Sequence, residues 1–111
     1  MKQKYPHVIK IDESKESSGG IPIPILTITN FSKPDDNKKT HCCIGRLHPG
    51  ETQGSWMMEG FIRFVCSPDG HYLRDRVVFR IIPMVNVDGV VLGNFRTGIV
   101  GRDLNRMFSD P

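Results

Sequence analysis

The stretch that limits the fold most is "RVVFRIIPMVN", residues 76–86. Val77, Val78, Phe79, Ile81 and Ile82 make a near-continuous apolar run rich in β-branched side chains. That pattern belongs to a strand buried between helices rather than to one with a wet face. A second apolar run, "CCIG" at 42–45, reads as a short buried strand. Between the two, apolar residues fall at Trp56, Met57, Phe61, Phe64 and Val65. This is helical spacing, with Thr52 or Ser55 placed to start the helix. Gly60 inside it weakens the helix and is expected to mark close packing. Strand, helix, strand predicts an α/β unit with a right-handed crossover.

The flanking sequence is more polar. Residues 1–20 are expected to be a polar N-terminal segment, with "DESKESSGG" at 12–20 a mobile loop. In "IPIPILTITN", Pro22 and Pro24 confine the early part to a strand entry, and Ile25–Thr29 form the strand. "FSKPDDNKKTH" is a polar connector, "SPDGHYLRD" ends the helix and turns, and "VDGVVLGNFRTGIVGRDLNR" is glycine-rich and loop-like. A chain of 111 residues holds one small domain. Its net charge of +3 comes from scattered lysines and arginines, so no basic stripe suggests nucleic acid. No segment has the length and apolarity of a signal peptide or a bilayer span. The three cysteines are an odd number without framework spacing, which favours reduced thiols and a reducing compartment.

Chemistry is concentrated in "GRLHPGETQGSWMMEGF", residues 45–61. His48 and Glu51 are three apart on a turn, and an imidazole with a carboxylate is an ordinary pair of zinc ligands. The turn comes after the "CCIG" strand, where α/β sheets collect ligand-binding residues. On spacing alone a plain surface turn is the simpler reading. Trp56, Met57, Met58 and Phe61 are expected to pack the helix, and His41 with Cys42 and Cys43 to pack rather than bind a second metal. Asp88–Gly89 reads as a turn, Arg102–Asp103 as a salt bridge shaping its loop, and His7 and His71 as solvated.

"GRLHPGETQGSWMMEGF", "FRIIPMVNVDGVVLGNFR" and "GRDLNR" occur here in a fixed order. Together they resemble the first half of the catalytic domain of the M14 zinc carboxypeptidases. More narrowly they resemble the cytosolic carboxypeptidases, whose members trim glutamates from tubulin and other acidic tails. The resemblance runs from about Leu26 to Met107. It implies an α/β, partial mixed-sheet zinc carboxypeptidase fold over 21–111, cut before the end of the domain, with Zn2+ as cofactor. It makes His48 and Glu51 the first two zinc ligands, Arg96 the catalytic cation for the oxyanion, and Asn105 and Arg106 the grip on the substrate's terminal carboxylate. A planar guanidinium suits that last role, since it offers two parallel hydrogen bonds to a carboxylate.

Two positions depart from the family pattern. Val87 stands where a proline is usual, which is expected to loosen the turn at "NVDG", and Met107 stands where an asparagine usually comes after the Asn-Arg pair. The resemblance places the third zinc ligand and the general-base glutamate beyond Pro111, so this chain alone is expected to be inactive. The implied protein is a cytoplasmic metallocarboxypeptidase acting on peptide or protein C-terminal tails, polyglutamylated tubulin among them, at microtubules or cilia. The competing reading is an incomplete fragment or pseudoenzyme that binds acidic C-terminal tails. Neither reading involves nucleic acid or membrane.

Overall fold

Alternating apolar residues in short strands build one apolar sheet face. In the computed structural model, which describes residues 5–109, the strands are β1 (Ile9–Asp12), β2 (Ile25–Ile28), β3 (Lys39–Ile44) and β4 (Val77–Ile82). They form one mixed sheet in the order β1-β2-β4-β3. β2 is antiparallel to both β1 and β4, and β3 runs parallel to β4. The register sets Ile9, Ile28, Phe79 and His41 in one row, and Ile11, Leu26, Ile81 and Cys43 in a second. The two-residue period of a strand puts both rows on the same face. Lys10, Thr27, Arg80 and Cys42 form the row between them, on the other face.

The helix α1 (Gln53–Cys66) covers the apolar rows. Ile62, Val65 and Cys66 join Ile9, Leu26, Ile28, Phe79 and Ile81 in the core, with Met58 and Phe61 against it. Phe61 meets Phe79 edge to face at 5.6 Å between ring centroids. The helix starts directly after Thr52, as expected, although the Thr52 side chain makes no cap. Its far end is closed by Ser67, whose N–H donates to Arg63 O and Phe64 O. The buried guanidinium of Arg74, on the single turn α2 (His71–Arg74), donates to Val65 O and Ser67 O. These groups satisfy carbonyls that the end of any helix leaves unpaired.

Several expectations change at this level. β4 is an inner strand, but its Arg80 is exposed, on the face that also carries the buried Val78 and the half-buried Ile82. β3 is a sheet edge, not a buried strand: Lys39, Thr40, His41, Cys42 and Ile44 are exposed and Cys43 is half-buried. His41 and Cys42 therefore do not pack in the core, though the His41 ring does meet Phe79 edge-on. Trp56 and Met57 are 74% and 73% exposed, because Met58, Phe61, Ile62, Val65 and Cys66 take the face toward the sheet. Among the described residues, a Cβ added at Gly60 would meet nothing within 4 Å. Within the stretch expected to be a polar N-terminal segment, Ile9–Asp12 pair with β2 and Ile9 enters the core. The loop after β1 is a hairpin closed by Ser17 N–H to Ile21 O and Ile23 N–H to Lys15 O. The three cysteines are free thiols, and burial pushes the Cys43 and Cys66 thiols up. His7 and His71 are exposed, as expected.

The polar connector before β3 is held by one ammonium. Lys38 Nζ donates to Thr29 Oγ1 (3.1 Å), Asn30 O (2.7 Å), Lys33 O (3.0 Å) and Asp35 Oδ1 (2.8 Å). Nearby, Asp75 accepts from Asn30 Nδ2 at 2.7 Å and Lys33 Nζ at 2.5 Å. These bonds hold its carboxyl down at about 2, against an ordinary 3.8. A carboxyl lowered by folding stabilises the chain above its unfolded value and loses that effect as pH falls through the folded one. Asp75→Asn should therefore lower the urea unfolding midpoint at neutral pH. The gap to the parent chain should close as pH falls from 3.8 to about 2. Parallel curves across that window would contradict the assignment.

Candidate functional site

Past Ile44 the chain leaves β3 on a turn whose shape depends on Arg46. Its φ is 51°, a left-handed conformation that costs a side-chain-bearing residue about 1–3 kcal/mol. The guanidinium offsets that cost by clamping the next stretch of chain. Nε and Nη2 donate to Pro49 O at 3.0 and 2.5 Å, and Nη1 donates to Ser55 Oγ at 2.8 Å. The turn carrying His48 is thus fastened to the first turn of α1.

A second clamp comes from α3 (Val87–Leu92), a short helix in the stretch expected to be loop. Asn86 caps it, with Oδ1 accepting from Gly89 N–H at 3.0 Å, and Gly93 ends it at φ 75°. The cap closes the turn that Val87, standing for a proline, is expected to loosen. Asn86 also reaches the His48 turn: its N–H donates to Arg46 O at 3.1 Å and its Nδ2 to Leu47 O at 3.3 Å. Gly89 is required for this seat, since a Cβ there would stand 2.6 Å from both Pro49 Cγ and Thr97 O. Asp88 does not shape a turn; it is buried in α3 and accepts from Ser17 and Gly19.

These clamps aim the chemistry. His48, with 13% of its side chain exposed, points Nδ1 toward Glu51 Oε1 at 3.4 Å and Nε2 toward Asp103 Oδ1 at 3.0 Å. Asp103 Oδ2 accepts from Arg96 Nε at 2.7 Å, and Oδ1 accepts from Asn105 N–H at 2.9 Å. Burial works to raise the Asp103 carboxyl, but the bonds from Asn105, His48 and Arg96 outweigh it and hold the group below its usual value. The expected Arg102–Asp103 bridge is absent because Asp103 is taken by Arg96 and His48; Arg102 is exposed. Asn105 and Arg106 lie on the 3-10 turn Leu104–Arg106, where the Arg106 guanidinium donates to Asn105 O at 3.2 Å. An open depression of about 600 Å3 is lined by His48, Glu51, Asn105, Arg46, Met57 and Phe61, among others. Arg96 and Arg106 lie outside its lining.

Sequence reasoning missed Asp103 and Arg46. Asp103 had a signal: an acid two residues before Asn105 readily turns back on that residue's N–H. Arg46 had none, since nothing in "GRLHPG" reports a left-handed φ.

The His48–Glu51 spacing fits a metal. Two ligands each 2.0–2.1 Å from a tetrahedral zinc stand roughly 3.3 Å apart, close to the 3.4 Å seen here. Asp103 on the other ring nitrogen is the partner that metal-ligating histidines ordinarily have. Among the described residues no group of three His, Cys, Asp or Glu side chains is placed to hold a metal ion.

The sequence profile of the zinc carboxypeptidase family, peptidase family M14, matches residues 1–111. The chain belongs to the zinc carboxypeptidase family. Cytosolic carboxypeptidase 2 of Danio rerio is 47% identical over 97 residues, covering 83% of this chain and 14% of that protein. The Homo sapiens protein of the same name is 44% identical over 104 residues, covering 89% of this chain and 12% of its own length. Among solved structures, a metallo-carboxypeptidase from Burkholderia cenocepacia superposes with a TM-score of 0.86 at 34% identity, covering 98% of this chain and 30% of that one. A metallo-carboxypeptidase from Pseudomonas aeruginosa gives 0.81 at 28% identity, with 98% and 30% coverage. The α/β zinc carboxypeptidase fold expected from the sequence is the fold found. This zinc carboxypeptidase chain spans 14% or less of those two curated relatives.

One test isolates the Arg46 clamp of this zinc carboxypeptidase chain. Arg46→Gly and Arg46→Ala both remove the guanidinium, but only glycine meets the φ of 51° without strain. Arg46→Ala should therefore be the less stable by about 1 kcal/mol in denaturant unfolding. Equal midpoints would show that the left-handed residue carries no strain.

Proposed function

We propose that this chain forms the metal- and carboxylate-binding part of a zinc-dependent metallocarboxypeptidase that removes C-terminal residues from peptides or protein tails. One observation carries the reading. The Asp103 carboxylate joins the His48–Glu51 pair to Arg96 and to the Asn105–Arg106 turn. His48 and Glu51 would hold the zinc, which when bound polarises the scissile carbonyl and activates a water. Asp103 fixes the His48 ring so that Nδ1 faces the metal position. Arg96 supplies a cation for the charge that develops on the carbonyl oxygen. Asn105 and Arg106 bind the free carboxylate that marks a chain end, Arg106 through a two-pronged guanidinium contact.

The substrates proposed are acidic tails, including the glutamates of polyglutamylated tubulin, in the cytoplasm. Support comes from the cytosolic carboxypeptidase resemblance and from the names of the relatives. The exposed arginines Arg96, Arg102 and Arg106 suit negatively charged tails. Among the described residues no helix is long and apolar enough to cross a membrane. A second reading rests on the same exposed arginines, which suit an anionic tail whether or not it is cleaved. On that reading the chain binds acidic C-terminal tails without cleaving them.

Peptides ending in glutamates, with a free or an amidated terminus, separate the readings. Zinc-dependent release of glutamate by the whole protein that this chain is proposed to form part of, abolished by His48→Ala, is the outcome expected of the hydrolase. Binding that needs the free carboxylate but gives no release identifies the binder. In either case Arg106→Ala should weaken affinity at least about tenfold, as loss of a charge-assisted contact does. Equal binding of the free and amidated peptides would sink both readings.

A further inference from the structure

The hairpin at residues 15–23 touches the site's supporting loop at two points. At its tip, Ser17 Oγ donates to Asp88 Oδ1 at 2.6 Å, and Gly19 N–H donates to Asp88 Oδ2 at 3.2 Å. The Ser17 oxygen in turn accepts from Ile21 N–H at 3.0 Å, so one hydroxyl closes the hairpin and docks it. Asp88 is 8% exposed, and its contacts pull the tip onto α3. The fit is close: a Cβ on Gly19 would stand 2.5 Å from Asp88 Oδ1 and 3.4 Å from Ile99 Cδ1. Ile99 lies between Arg96 and Asp103, so the tip rests on α3 and on the 93–103 loop together.

Those two pieces are one hydrogen-bonded unit. Gly89 O accepts from Asn94 N–H at 2.9 Å, and Asn94 Nδ2 donates to Thr97 O and Gly98 O at 3.2 and 3.3 Å. Gly98 N–H donates to Arg102 O at 2.9 Å, and Gly101 N–H to Gly98 O at 3.1 Å. Arg96 and Asp103, which meet His48, sit on this unit. The hairpin is fastened to it through Asp88.

We propose that Ser17 and Asp88 are positioning residues, a hydroxyl-to-carboxylate latch that holds the Arg96–Asp103 loop in the arrangement seen at the site. The proposal rests on the reading of that loop as part of the substrate site, and it concerns a segment which that reading leaves without a role. Releasing the latch frees the loop while the sheet and α1 stay packed, because the side-chain hydrogen bonds of Ser17 and Asp88 reach neither.

Amide hydrogen exchange on the whole chain tests this directly. Ser17→Ala should speed exchange at the Gly98 and Gly101 amides at least about tenfold, the effect of losing one hydrogen bond of ordinary strength to a charged group. Exchange at Val65 and Ile81 should stay at the parent rate, and Ser17→Thr, which keeps the hydroxyl, should restore the loop. Asp88→Asn should act in the same direction as Ser17→Ala. Faster exchange confined to residues 14–23, with Gly98 and Gly101 unchanged, would overturn the proposal, since the hairpin would then hold only itself. If Asp88→Asn also exposes Val65 and Ile81, the Ser17 pair decides alone. Where the parent turns over peptide, Ser17→Ala should lower kcat, and Ser17→Thr should return it. A whole parent protein that releases no residue overturns the proposed hydrolase and leaves the exchange result standing.

Discussion

The Asp103 carboxylate is the contact on which the site depends. Its two oxygens receive the His48 ring from a distant turn, the Arg96 guanidinium from its own loop and the Asn105 N–H from two residues further on. Each partner alone would be a modest surface interaction, since exposed ion pairs contribute little. Here the group is only 17% exposed, and the bonds converge on one acceptor. Moving any one partner leaves the others bonded to a displaced anion. That shared acceptor makes the arrangement of His48, Arg96 and Asn105 a single arrangement rather than three.

The sheet explains why those stretches can meet. β3 and β4 are parallel neighbours, so the turn after Ile44 and the turn after Ile82 leave the same end of the sheet. Val85 N–H to Gly45 O and Asn86 N–H to Arg46 O carry the pairing beyond the strands themselves. The His48 turn and the α3 cap are therefore placed by backbone bonds. Arg46 and Asn86 then need only local side-chain reach to lock them.

Much of this is legible in the sequence. β4 stands out because Val and Ile recur with few polar breaks, and α1 stands out by its spacing. His48 and Glu51 fall at one end of a strand, where their position after "CCIG" puts them, and the three motifs identify the family. Other features depend on tertiary context. Trp56 and Phe64 share the helical spacing of Ile62 and Val65, and only the sheet decides which side faces inward. β3 reads as buried because "CCI" is apolar, but burial depends on a neighbour that local composition does not report. α3 is hidden by its glycines, although Asn86 and Gly93 stand where a cap and a stop belong. Asp103 reads as the partner of its sequence neighbour Arg102, whereas adjacent side chains leave the backbone in different directions and Arg96 is the one that arrives.

Lys38 gives the two ends of β3 different characters. Just before the strand, an ammonium with 2% of its side chain exposed sits among four oxygens, as a bound metal ion would. Just after the strand, a histidine and a carboxylate face each other with no cation of the chain's own between them. The first end is organised by a positive charge that is covalently part of the chain, so neither chelators nor dilution can strip it. On the proposed function the second end would draw its positive charge from solution. A six-residue strand would then separate a permanent internal cation from an exchangeable one.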